Sequence, residues 1–177
     1  MPEQSSIERR AARIKLLLMD CDGVLTDGRL WILDGDEQKS FNVRDGLGLE
    51  LWHRAGLKSG IISGRNSSAV ERRAFTLGIE YVRQGCENKI KDFEELLTLA
   101  GVEESEVAFI GDDLNDIPLM RRSELAIAVA DASEDTVAAA HYVTHARGGF
   151  GAVREVVELI LRVQGRWTDL IERYSKG

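Results

Sequence analysis

The chain has 177 residues, of which 44% are hydrophobic and 30% charged, with a formal net charge of −7. That length suits one compact domain with a sizeable core, and the acidic balance argues against nucleic acid or an anionic membrane surface as a partner. Two cysteines, Cys21 and Cys86, are too few for a secreted disulfide scaffold, and no signal core or membrane-length apolar run is present, so a soluble protein of the reducing cytoplasm is expected.

Residues 1–13 are expected to form a flexible or loosely helical segment ahead of a domain spanning 14–164, with a helix-like tail over 165–177. Strand-length apolar runs occur at Ile14–Met19, Leu57–Ile62, Val107–Ile110, Leu125–Val129 and Tyr142–Val143, with a weaker one at Ile79–Val82. Between them lie the helical patterns Leu47–Arg54, Ser67–Leu77 and Ile90–Leu99, each followed by a glycine (Gly56, Gly78, Gly101) able to close the last turn in the left-handed conformation. Strands apolar on both faces, alternating with helices, define the doubly wound α/β class with a mostly parallel sheet. One segment breaks that rhythm. Gly28–Val43 reads as a β-hairpin, with Leu30–Leu33 as one strand, a turn-rich DGDE and Lys39–Val43 as the other. Either it packs at an edge through Trp31, Ile32 and Phe41, or it is a flap or oligomer contact.

Ligands of open α/β sheets bind beyond the carboxyl ends of the strands. The first run ends in Asp20, with Asp22 and Asp27 close behind; the run at Val107 ends in Asp112, followed by Asp113 and Asp116. Two distant segments thus bring carboxylates to one edge, where their repulsion calls for a cation. Oxygen donors suit a hard ion, most simply Mg²⁺. Taken singly, Asp113 fits a helix cap and Asp116 a positive first turn. The Ser63-Gly64-Arg65 stretch is either an ordinary turn or a loop whose hydroxyl and N–H groups hold a phosphate. Lys89 follows Asn88, a plausible N-cap, so its charge opposes the helix dipole unless an anion lies nearby; alone it also fits a surface lysine.

In order, DCDGVLTD at Asp20–Asp27, Ser63–Arg65, Lys89 and GDDLND at Gly111–Asp116 resemble the signature of the haloacid dehalogenase superfamily of aspartate-nucleophile phosphohydrolases. FNVRDG at Phe41–Gly46, the SGR stretch followed by Glu71-Arg72-Arg73, and GGFGAVREV at Gly148–Val156 are similar to the capless 3-deoxy-D-manno-octulosonate 8-phosphate (KDO 8-phosphate) phosphatase family, over nearly the whole chain. This resemblance implies a Rossmann-like sheet with a hairpin flap and no cap domain. It implies Mg²⁺-dependent hydrolysis of a sugar-acid phosphate through an aspartyl-phosphate, with Asp20 as nucleophile, Asp22 as general acid and base, and Ser63 and Lys89 cradling the phosphate. The metal would be held by Asp20, the main-chain carbonyl of Asp22 and Asp112, supported by Asp113 or Asp116. Asn42, Arg44, Asp45, Gly46, Arg65 and Arg73 would contact the sugar acid, with Arg72 competing with Arg73 for that place.

The same resemblance implies a homotetramer in which hairpins associate and the C-terminal segment reaches a neighbouring site. Glu50 and Phe150 depart from it, standing where a basic residue is frequent, and so bring an acylneuraminate or deaminated neuraminate 9-phosphate into view as an alternative substrate. Rival classes are a phosphoacceptor receiver domain, whose acidic pair and acceptor aspartate lie on different strands, and a degenerate scaffold that binds without catalysis.

Overall fold

A computed structural model describes residues 2–33 and 36–175. The chain opens with α1 (Pro2–Ala11) and β1 (Leu16–Met19), then the hairpin β2 (Trp31–Leu33) and β3 (Asp36–Gln38), α2 (Val43–Arg54), β4 (Lys58–Ile62), α3 (Ser68–Leu77) and β5 (Tyr81–Arg83). It continues through α4 (Lys89–Ala100), β6 (Val107–Gly111), α5 (Ile117–Arg122), β7 (Leu125–Ala128), α6 (Glu134–Ala139), β8 (Tyr142–Val143), α7 (Ala152–Val163) and α8 (Trp167–Ser175).

Six strands form one parallel sheet in the order β5-β4-β1-β6-β7-β8, so the expected α/β class is what the chain adopts. Alternate residues of each central strand point to opposite faces, and helices cover both. Leu17, Met19, Ala108, Ile110, Leu125 and Ile127 pack against Trp52 of α2 and Val153, Val156, Val157 and Ile160 of α7. Leu16, Leu18, Val107, Phe109, Ala126 and Ala128 face Phe93 and Leu96 of α4 and Leu119 and Met120 of α5. From β1 the chain crosses to β4 on one side and later returns to β6 on the other. The carboxyl end of β1 is therefore the switch point where such sheets leave a crevice.

Several expectations change in the structure. The N-terminal segment is helical over Pro2–Ala11, and its end rests on the body of the domain: Ala11 is buried, and Gln164 donates from Nε2 to the carbonyls of Ala11 (3.0 Å) and Ile14 (2.8 Å). Lys39–Val43 is not a strand. β3 lies earlier, and Asn42 instead caps α2, its side chain accepting from the Arg44 N–H at 2.8 Å; a satisfied helix start outweighs the alternating pattern. Asp34 and Gly35, in the predicted turn, lie outside the described residues. Trp31 and Ile32 are 58% and 70% exposed, so the hairpin does not pack through them, whereas Phe41 is half-buried against the core. GGFGAVREV runs into α7, whose apolar stripe Val153, Val156, Val157, Ile160 and Leu161 builds much of that core. The tail folds as α8 onto its own chain, with Trp167 buried and the Arg162 guanidinium 4.9 Å from its ring centre.

Candidate active site

The register of the sheet assembles the site. Met19 of β1 pairs with Ile61 of β4 and Ile110 of β6, so Asp20, Ser63 and Asp112 emerge side by side just past three adjacent strand ends. Asp20 stays in the ladder, its N–H donating to Ile110 at 3.0 Å, and the Ser63 N–H donates to Arg83 at 2.9 Å. Lys89 is the first residue of α4, whose N-cap Asn88 accepts from the N–H groups of Ile90 and Lys91.

One oxygen each of Asp20, Asp112 and Asp116 lie within 4.8 Å of one another. Lys89 Nζ sits among them, 2.8 Å from Asp116 Oδ1 and 3.3 Å from Asp20 Oδ1. Asp116 is wholly buried, and its other oxygen accepts the Asp112 N–H at 3.0 Å. Asp113 does not join the cluster. It is exposed and caps the single 3-10 turn Leu114–Asp116, which rotates Asp116 inward.

Burial and then the Asp116 charge push Asp20 up to about 6, against the pull of Lys89. Burial, Asp116, Asp20 and Asp113 together push Asp112 up to about 8. Burial pulls the Lys89 ammonium down, but Asp20 and Asp116 outweigh it and hold its pKa above the usual value. Asp112 Oδ1 is buried and has no hydrogen-bond donor among the described residues. Three carboxylates around one lysine, all oxygen donors, are what a hard divalent cation fits. Gly23 belongs to this arrangement as well: at φ +91°, any Cβ there would run into the Asp112 carboxylate.

The Asp22 carboxylate turns away from the acidic cluster. Lys39, from the end of the hairpin and with its side chain wholly buried, donates to Asp22 Oδ1; Arg65 Nε lies 4.0 Å from Asp22 Oδ2. Arg65 Nη2 also pairs with Glu37 of β3, so the hairpin base closes on the mouth of the site. Nothing in the local pattern of the sequence marked Lys39 or Glu37, because only the hairpin's return brings them to Asp22.

Of the residues expected at the sugar acid, several have work inside this chain. Asp45 is buried and accepts from the N–H groups of Gly151 (3.2 Å) and Arg154 (2.7 Å), capping α7, so its carboxylate has partners inside this chain. Gly46 is buried in α2, where a Cβ would press on the Arg73 guanidinium. Asn42 joins α2 to the glycine loop, donating from Nδ2 to Gly149 at 3.2 Å. Arg73 is half-buried, its Nη2 donating to the Asn42 carbonyl at 3.4 Å and its guanidinium 5.8 Å from the Phe41 ring centre, while Arg72 is exposed. Arg44 is exposed at the start of α2. Glu50 lies on the outer face of α2, 3.8 Å from Arg54, and Phe150 is exposed.

An aspartate pair at the end of a central parallel strand, a strand-end serine, a helix-opening lysine and a second acidic loop at the switch point define a haloacid-dehalogenase-type phosphatase. The model of a family described as haloacid dehalogenase-like hydrolase matches residues 79–154. The 3-deoxy-D-manno-octulosonate 8-phosphate phosphatase KdsC of Salmonella typhi is 43% identical over 166 residues, covering 93% of this chain and 88% of the relative. A probable yrbi family phosphatase from Pseudomonas syringae superposes with a TM-score of 0.95 at 44% identity, covering 98% of this chain and 99% of that one. The 3-deoxy-D-manno-octulosonate 8-phosphate phosphatase from Moraxella catarrhalis, crystallised with magnesium ion, phosphate ion and a KDO molecule, superposes with a TM-score of 0.93 at 42% identity, covering 96% and 98% of the two chains. The chain belongs to the 3-deoxy-D-manno-octulosonate 8-phosphate phosphatase family of the haloacid dehalogenase superfamily.

Proposed function

We propose that the chain hydrolyses 3-deoxy-D-manno-octulosonate 8-phosphate to the free sugar acid and phosphate, with Mg²⁺ as cofactor and Asp20 as nucleophile. The observation that carries the reading is the convergence of Asp20, Asp112 and Asp116 on one point beside Lys89. Asp20, the Asp22 carbonyl and Asp112 would hold the ion, with Asp116 fixing the Asp112 main chain and Lys89 behind them. When bound, the ion offsets the clustered charge, keeps these carboxylates ionised and polarises the phosphoryl oxygens.

Asp20 attacks phosphorus, forming an acyl phosphate as the bond to the sugar oxygen breaks, and Asp22 delivers its proton to that oxygen. Asp22 then takes a proton from the water that cleaves the acyl phosphate, which restores Asp20 and releases phosphate. Lys89 and Ser63 hold the transferring oxygens, and the Lys89 charge is sustained by Asp116 throughout and by Asp20 whenever its carboxylate is free. Arg65 and Arg73 supply positive charge for the sugar carboxylate, and Asn42, Arg44, Asp45 and Gly46 set the α2 start from which that end of the pocket is built.

A tetramer is part of this reading. Trp31, Ile32 and Leu33 are exposed apolar residues on a two-stranded hairpin, which is marginal alone and gains stability from a partner. Free Cys21 and Cys86 accord with a reducing cytoplasm. The test is phosphate release across eight- and nine-carbon sugar-acid phosphates, with Asp20→Asn as control. Preference for the eight-carbon ester with no turnover by the variant is expected; preference for a nine-carbon ester would move the substrate, and retained turnover by Asp20→Asn would remove the nucleophile.

A further inference from the structure

Lys39 has no part in the proposed chemistry, yet its side chain is wholly buried at the mouth of the site. Burying an ammonium is costly unless it is paired, and Lys39 is paired twice: it donates to Asp22 Oδ1 and lies 3.8 Å from Glu37 Oε2. Glu37 in turn accepts from Arg65, whose Nε faces the second oxygen of Asp22. Lys39, Glu37, Arg65 and Asp22 therefore close a ring of alternating charge in which two members belong to the hairpin and one to the loop after β4. Asp22 itself lies in the loop after β1, next to Gly23 at φ +91°. Without Lys39 the Asp22 side chain would have no hydrogen-bond donor among the described residues, since Oδ2 already has none.

We infer that Lys39 is a positioning residue: through its hydrogen bond to Oδ1 it fixes the orientation of the Asp22 carboxylate and couples it to the hairpin. This rests on the proposed role of Asp22 at the leaving oxygen and deepens it. The hairpin then acts on the reaction as well as on assembly, since its placement decides whether Asp22 is held. Lys39 does not need to touch substrate to matter. Misplacing a proton donor costs rate in the step that uses it, leaving phosphate and metal binding alone.

The experiment compares wild type, Lys39→Met and Lys39→Arg on an alkyl ester, the sugar-acid phosphate, and on an aryl ester, p-nitrophenyl phosphate, whose leaving group departs without a proton. For Lys39→Met, single-turnover release of the sugar acid from the alkyl ester, and kcat with it, is expected to fall about 10- to 100-fold, within the range that general acid catalysis contributes. KM and the Mg²⁺ concentration for half-activity should stay within about twofold, single-turnover release of p-nitrophenolate, which reports the first half-reaction alone, should slow under about threefold, and Lys39→Arg should recover most of the loss. Thermal melting checks that the variants fold. Equal losses in single-turnover leaving-group release from both esters, or a rise in KM with kcat unchanged, would overturn the positioning role. Should wild type turn over no sugar-acid phosphate, the functional reading fails by itself. The alkyl-to-aryl ratio is then read with a hexose phosphate and still decides the role of Lys39.

Discussion

Asp45→Ala separates two roles for a residue that family resemblance puts at the substrate and the structure puts under α7. The Asp45 carboxylate receives two main-chain donors, from Gly151 at 3.2 Å and Arg154 at 2.7 Å, at the first turn of the helix that carries much of the core. Loss of an N-cap costs about 0.5–2 kcal/mol, and a hydrogen bond to a charged group about 1.5–3 kcal/mol. Two such bonds shared with the burial cost of the carboxylate, which raises its pKa, bring the expectation to about 2–4 kcal/mol. For a chain of this size that is a fall in melting temperature of about 5–15 °C. Asp45→Asn retains a carbonyl acceptor and sheds the buried charge, so about half that fall is expected. The assay is thermal melting beside kcat/KM at 25 °C, where the variants remain folded. An unchanged melting temperature with kcat/KM down a hundredfold would refute the capping argument and return Asp45 to the substrate.

Without metal, the folded chain holds Asp20 at about 6 and Asp112 at about 8, both above an ordinary carboxylate. It therefore binds protons that the unfolded chain has released between about pH 4 and 8, and the metal-free protein should lose stability as pH rises through that window. Mg²⁺ should then raise the melting temperature by about 5 °C or more at pH 8.5 and much less at pH 5.5, where protons compete for the same oxygens; an equal gain at both pH values would contradict this. Gly23→Ala should abolish Mg²⁺-dependent phosphate release, because its Cβ would displace Asp112 and its φ of +91° strains any other residue. Activity within tenfold of wild type would show that the Asp112 loop can move aside.

Much of the fold was legible in the chain because it rests on local periodicity. Runs such as Leu16–Met19 and Val107–Ile110 are apolar on both faces and became central strands, and Gly78 and Gly101 closed the helices they follow in the left-handed conformation. The acidic strand ends were legible too, since a parallel sheet sends every strand's carboxyl end to one edge. At residues 39–43 the pattern misled: the alternation suits a strand, but Asn42 offers the Arg44 N–H an acceptor and the helix starts there. Nor did composition show that α1 and α8 would dock, which depends on Ala11 and Trp167 finding cover across the chain.

The sequence by itself determined the class of chemistry, through the kinds of residue that must stand at the ends of β1, β4 and β6 once those runs form one sheet. Only the tertiary structure decided which of them face each other: that Asp116 turns in and Asp113 out, that Arg73 and not Arg72 is covered, and that Asp45 serves α7. The reason is range. Charge and periodicity act within a few residues, whereas Lys39 reaches Asp22 over 17 positions and Asp45 reaches Arg154 over 109, contacts that exist only after the sheet has closed.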